Sequence, residues 1–244
     1  MTVCPTPEDF IVSRDCFLID NTSPPIQLVY YTMASYHNSH YDYYGIQRPE
    51  GFSTWAPRRQ AQFLAGRIAA AEAIDASHTV DRHVAVGQSR EPVWPAGLAG
   101  SISHDQQLSI ARVKQPQKPH SGLGIDIQSA IEAKTQALIF STIVTQDEKP
   151  LFKKSPHEVF GGMLFTLIFS AKESFFKALF GTVGGYFDFD AVCVVKIDYS
   201  SQQLTLKALK TLDANLPLHF EAEVSFALLG NTPPQIITSC SWEL

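Results

Sequence analysis

Between Leu123 and Gln128 the chain alternates without a break: Leu123, Ile125 and Ile127 are apolar, and Gly124, Asp126 and Gln128 stand between them. A period of two belongs to a strand and sends Asp126 and Gln128 to one face. Further along, Ser170, Glu173, Ser174 and Lys177 fall at helical spacing, leaving Phe169, Phe175, Phe176, Leu179 and Phe180 for burial. A polar stripe this narrow on so apolar a helix belongs in a cleft, because an open surface would carry many more charges. Asp126, Gln128 and Glu173 are all oxygen donors, and together they suit a magnesium ion held between strand and helix.

The remaining pattern places this pair. Four strand-like segments close the chain, Ala191 to Ile197, Gln203 to Leu209, His219 to Leu228 and Gln235 to Ser241, separated by Asp, Ser, Asn and Pro turns. They predict an antiparallel sheet. Helical stretches are expected from about Ile131 to Phe140 and from Thr145 to Phe152. Upstream, Ile26 to Met33 reads as a buried strand and Tyr36 to Tyr44 as a loop. A helix starts at Pro57 and runs to about Ala76, with Phe63, Leu64, Ile68, Ala71 and Ile74 at three- and four-residue steps. The Pro- and Gly-rich run Gln88 to His104 leads into a strand, and Leu108 to Val113 is its hairpin partner. Lys114 to Ser121 is polar and aperiodic, so the expected halves are 1–118 and 119–244. Each combines a helix with antiparallel strands, which is an α+β class.

Composition narrows the function. A formal charge of -5 argues against bulk nucleic-acid binding, which needs a basic surface. Cys4, Cys16, Cys193 and Cys240 are scattered, with neither zinc spacing nor a disulfide framework. Reduced thiols, no leader-like N-terminus and no transmembrane segment indicate a soluble, cytoplasmic protein. Any polyanion must then be met locally. Arg59 and Arg67 lie on roughly one side of the Pro57 helix, and two guanidinium forks there form a candidate phosphate clamp rather than a pair of solvated charges. His104 follows Ser103 at the end of the Gly-rich loop, where it could donate to an anion. His37 and His40 lack a third ligand nearby, which favours aromatic packing over metal binding. In isolation, Glu173 and Lys177 would be an i, i+4 helix pair contributing about 0.3–0.5 kcal/mol, and Asp126 a strand-end cap.

Taken in order, Arg90-Glu91-Pro92-Val93-Trp94-Pro95, Gly100-Ser101-Ile102-Ser103-His104, Gly124-Ile125-Asp126-Ile127 and Phe169-Ser170-Ala171-Lys172-Glu173-Ser174 closely resemble the motifs of 4'-phosphopantetheinyl transferases. With Leu64-Ala65-Gly66-Arg67, they resemble the enterobactin synthase component D group. The resemblance implies a monomeric pseudo-dimer of two similar α+β halves with coenzyme A in the cleft between them. It implies transfer of the phosphopantetheine arm of coenzyme A to a serine of an apo peptidyl, aryl or acyl carrier protein, tilted towards siderophore synthesis. In those terms Asp126, Gln128 and Glu173 are metal positions. Arg59, Arg67, Arg90, Ser103 and His104 contact coenzyme A, and Glu173 and Lys177 are the catalytic pair. Glu173 is the expected base, although a carboxylate held between magnesium and Lys177 has a low pKa. Gln128 departs from the family's acid, so weaker magnesium affinity is the expected cost. That departure keeps a second reading open, a non-catalytic coenzyme A or carrier-binding module. Leu151, Phe152, Lys153 and Lys154 form a candidate surface for the carrier.

Overall fold

Two antiparallel sheets, of four and five strands, each carry a 20-residue helix. The computed structural model describes residues 9–20, 24–76, 82–154, 162–230 and 233–244, and the chain divides into two units, Met1–Gln115 and Pro116–Leu244.

The first unit runs β1 (Ile11–Phe17), β2 (Ile26–Tyr31), α1 (His40–Tyr43), α2 (Pro57–Ala76), the short hairpin β3 (Ala85–Val86) and β4 (Pro92–Val93), β5 (Ala99–Asp105) and β6 (Leu108–Lys114). Its main sheet has the order β1-β2-β6-β5. Strand β1 was not expected, because its middle residues are exposed at a sheet edge and carry no alternation. Helix α2 spans the range that its apolar spacing predicts. It packs through Ala61, Leu64, Ala65, Ile68 and Ala69 onto Val29, Ala111 and Val113. A Cβ at Gly66 would come within 3.0 Å of Ile102, so the helix lies close to β5.

The second unit runs β7 (Ser121–Ser129), α3 (Ala133–Ile143), α4 (Leu151–Lys154), α5 (Leu164–Val183), β8 (Val192–Asp198), β9 (Gln203–Ala208), β10 (Glu221–Leu229) and β11 (Gln235–Glu243). The sheet order is β7-β11-β10-β9-β8. Only the end of the expected Thr145 to Phe152 helix forms, since residues 146–150 are turns and α4 starts at Leu151. In those turns the Glu148 carboxylate accepts from Thr145 N–H at 2.7 Å and from the Thr145 hydroxyl at 3.0 Å, closing the segment on itself.

Helix α5 lies on β7 and β11. Gly122 and Gly124 line the near face of β7, and a Cβ at either would overlap a carbonyl oxygen of α5, that of Ala178 or Ser174. The glycines thus answer a close approach of backbones rather than a turn. Gly124→Ala is expected to cost about 1–3 kcal/mol through overpacking, read as a lower urea midpoint with an unchanged slope.

Candidate active site

The close approach at Gly124 brings the polar stripe of α5 down onto Asp126, two residues along β7. Asp126 is 5% exposed, so its carboxylate requires partners. Its Oδ1 takes the Lys177 ammonium at 2.7 Å, and its Oδ2 accepts from the Ser170 hydroxyl at 2.9 Å. Lys177 Nζ also donates to the Ile125 carbonyl at 3.1 Å. The lysine therefore reaches across to the strand instead of back along its own helix to Glu173.

Glu173 is half-buried and accepts no hydrogen bond among the described residues. Burial raises its pKa above the ordinary carboxylate range; Lys177 pulls it down and Asp126 pushes it up. The low value expected in the sequence rested on magnesium and Lys177 together, and with the protein's own groups alone burial prevails. Gln128 is half-buried on the same face of β7, and its side-chain amide makes no hydrogen bond among the described residues. No group of three or more His, Cys, Asp or Glu converges among the described residues. Two carboxylates and an amide oxygen nevertheless suit magnesium, which commonly takes one or two carboxylates and fills its shell with water and substrate phosphate. Beside Glu173 lies a cavity of about 330 Å³ lined by Phe176, Tyr186, Phe187 and Phe189.

The anion-binding candidates of the first unit form two adjoining groups that meet at Trp55. Arg59 donates to His104 Nε2 at 3.0 Å and lies over the Trp55 ring at 5.7 Å. Arginine has no acceptor, so Nε2 accepts and a neutral imidazole here carries its proton on Nδ1. Ser103 is buried on the sheet face opposite His104, as neighbours on a strand must be. Arg67 and Arg90 instead line a cavity of about 1000 Å³, shared with Arg48, Arg82, His83 and Trp55. Arg67 is 8% exposed, stacks on Phe63 at 4.6 Å and donates to the Ala85 carbonyl at 3.2 Å, while its Nε is buried without a partner. Burial lowers its pKa to about 10, which leaves it charged at neutral pH. Arg90 occupies the left-handed region at φ 67° in the β3–β4 turn. Arg48 is already held by Asp42 and Arg82 by Asp75, whereas Arg67 and Arg90 have no carboxylate partner among the described residues.

Residues 48–114 match the 4'-phosphopantetheinyl transferase N-terminal domain, and residues 122–233 match the 4'-phosphopantetheinyl transferase superfamily. The chain belongs to that superfamily. Enterobactin synthase component D of Salmonella typhi is 30% identical to this superfamily member over 153 residues, 63% of this chain and 61% of that protein. The same-named protein of Escherichia coli (strain K12) is 35% identical over 137 residues, 55% and 62% of the two chains. The chain thus spans about three-fifths of the length of these relatives. A solved holo-ACP-synthase from Plasmodium yoelii aligns with 50% of this chain at 12% identity and a TM-score of 0.32, too loosely to bear on the site.

Within this transferase-superfamily chain, the motif around Glu173 holds a residue that its sequence left unassigned. The Lys172 ammonium is buried at 2.8 Å from Glu148, with side chains 1% and 0% exposed. It also donates to the Ile143 carbonyl at 2.7 Å and the Phe189 carbonyl at 3.2 Å, while Glu148 accepts from Val194 N–H at 2.7 Å. The one sequence signal was Thr145-x-x-Glu148, the spacing of a capping box. Arg48, Arg82 and His83 were also missed, lying in segments without periodicity. His40 is buried and stacks on Phe10 at 5.2 Å, the packing role favoured for it. In the proposed carrier surface, Leu151 and Phe152 pack against the second unit's core, leaving Lys153 exposed. The Lys154 side chain lies outside the described residues.

Proposed function

We propose that the chain transfers 4'-phosphopantetheine from coenzyme A to a serine of an apo peptidyl or aryl carrier protein, with magnesium, in siderophore-type peptide synthesis. The shared name of its relatives, enterobactin synthase component D, supports the pathway class. The observation that carries the chemistry is the bracketing of Asp126 by Ser170 and Lys177, with Glu173 in the same stripe of α5. Asp126 and Glu173 would hold the ion, with the Gln128 amide oxygen as a neutral third donor. When bound, magnesium supplies charge neutralisation across the pyrophosphate of coenzyme A.

The protein's own groups then have separable tasks. Glu173 takes the proton of the incoming serine hydroxyl, directly or through a bound water, from its place on the polar stripe of α5 beside Asp126. The serine oxygen attacks the phosphorus that bears the pantetheine arm, and adenosine 3',5'-bisphosphate leaves. Lys177 fixes Asp126 and adds positive charge beside the reacting phosphates. The cavity beside Glu173 offers aromatic walls to the methyl and methylene groups of the pantetheine arm, with Asp188 on the same lining. In the first unit, the unpartnered Nε of Arg67 and the unneutralised Arg90 suit the phosphates of the nucleotide end, with Arg59 and His104 as a second contact.

A charged arginine buried without an anion weakens the fold, so a phosphorylated nucleotide should stabilise it. Adenosine 3',5'-bisphosphate at a hundred times its Kd is expected to add about 2.7 kcal/mol, seen as a raised Tm, with adenosine giving a smaller shift. Arg67→Met should lose most of the nucleotide-dependent shift relative to its own baseline; an equal shift in that variant would remove Arg67 from the site. The reaction itself is tested by release of adenosine 3',5'-bisphosphate from coenzyme A, expected only when magnesium and apo carrier are both present.

A further inference from the structure

Asp126 is held by more than the helix that bears Glu173. Thr238 on β11 stands directly opposite Asp126 in the β7–β11 register, so the two side chains share a face. Ser170 lies above both: its hydroxyl is 2.9 Å from Asp126 Oδ2 and 2.9 Å from Thr238 Oγ1. Thr238 Oγ1 also donates to the Ser170 carbonyl at 2.9 Å. Ser170 and Thr238 are both 0% exposed, so no water competes for these hydroxyls.

Proton counting sets the direction. As a carboxylate Asp126 only accepts, so the single hydroxyl proton of Ser170 is committed to Oδ2. Thr238 has one proton for two acceptors on Ser170, the carbonyl and the hydroxyl oxygen, and through either one it supports Ser170 from behind. The polar chain runs from β11 through α5 to β7, and Lys177 closes the other side of the carboxylate at Oδ1. We infer that Ser170 and Thr238 are positioning residues for the magnesium ligand Asp126, acting on the ion through the orientation of its carboxylate. This rests on the magnesium reading given above. Loss of such an outer partner commonly weakens metal affinity 10–100-fold, because the carboxylate can turn away from its productive orientation.

The test is direct binding of manganese to the full chain in the presence of coenzyme A and without carrier, read from the paramagnetic resonance signal of the free ion. Ser170→Ala is expected to raise the manganese Kd about 10-fold or more, and Thr238→Val to raise it less. Thr238→Ser, which keeps the hydroxyl, should restore near wild-type binding. Alanine suits a helix interior, and Thr238→Ser supplies a second comparison should Ser170→Ala fold poorly. Transfer assays should show a higher magnesium requirement in Ser170→Ala, with most of kcat recovered at saturating magnesium. A general loss of structure would not separate those two parameters. An unchanged manganese Kd in Ser170→Ala and Thr238→Val, beside normal binding by the wild type, overturns this inference alone. Failure of the wild type to bind manganese overturns the magnesium reading and this inference with it.

Discussion

Glu173→Gln is expected to lower the rate of phosphopantetheine transfer by about 10²–10⁴-fold while leaving the fold intact. Glutamine keeps the shape of the side chain but cannot take the serine proton, and it offers magnesium a neutral oxygen in place of a charged one. The same substitution has an opposite effect on stability. Burial raises the Glu173 pKa in the folded chain above its unfolded value, so its contribution is fully present below the unfolded pKa and is lost as pH rises through the folded one. In metal-free buffer at neutral pH the glutamine variant should therefore be more stable than the wild type. The difference should vanish below the ordinary carboxylate range. Urea midpoints across a pH series, beside steady-state transfer rates at saturating magnesium, check both halves. Near-normal transfer by the variant would remove Glu173 from catalysis and from the metal shell together.

The neighbouring residue should behave in the reverse manner. Lys172→Met leaves the carboxylate of Glu148 buried without a cation and the carbonyls of Ile143 and Phe189 without their donor. Breaking a buried pair by removing one member costs about 3–5 kcal/mol, a large share of the stability of a chain this size. Burial lowers the Lys172 pKa and Glu148 opposes that shift, so the two charges depend on each other. Glu148 also holds Thr145 and Val194, and the pair thereby ties the 145–148 turns and β8 to the helix that presents Glu173. Lys172→Arg should not restore stability, because the planar guanidinium fork does not fit acceptors arranged around a point charge. The urea midpoint measures the loss. Wild-type stability in Lys172→Met would show that the pair is not intact in solution.

Adjacent residues with such different roles show what a sequence can disclose. The alternation around Asp126 and the stripe on α5 were legible because each follows from local periodicity. So was α2, whose apolar spacing matches its full extent. Their meeting was not legible, because the need for Gly122 and Gly124 comes from carbonyls of α5 distant in the chain. Lys172 looked like one more charge in a motif until its partner at Glu148 was located. Arg59 and Arg67, eight residues apart and so offset by roughly 80° around the helix, differ in that only Arg67 lines the large cavity, while Arg59 lies over Trp55 on its wall. Edge strand β1 left no pattern, since its exposed middle residues are under no pressure to alternate.

The most direct test is the intact mass of an apo peptidyl or aryl carrier protein after incubation with this chain, coenzyme A and magnesium. A carrier heavier by one phosphopantetheine group, dependent on its acceptor serine and on magnesium, is the expected result. Unchanged mass in a carrier that an established phosphopantetheinyl transferase converts, with coenzyme A still bound by this chain, would contradict transfer and leave a coenzyme A-binding module in its place.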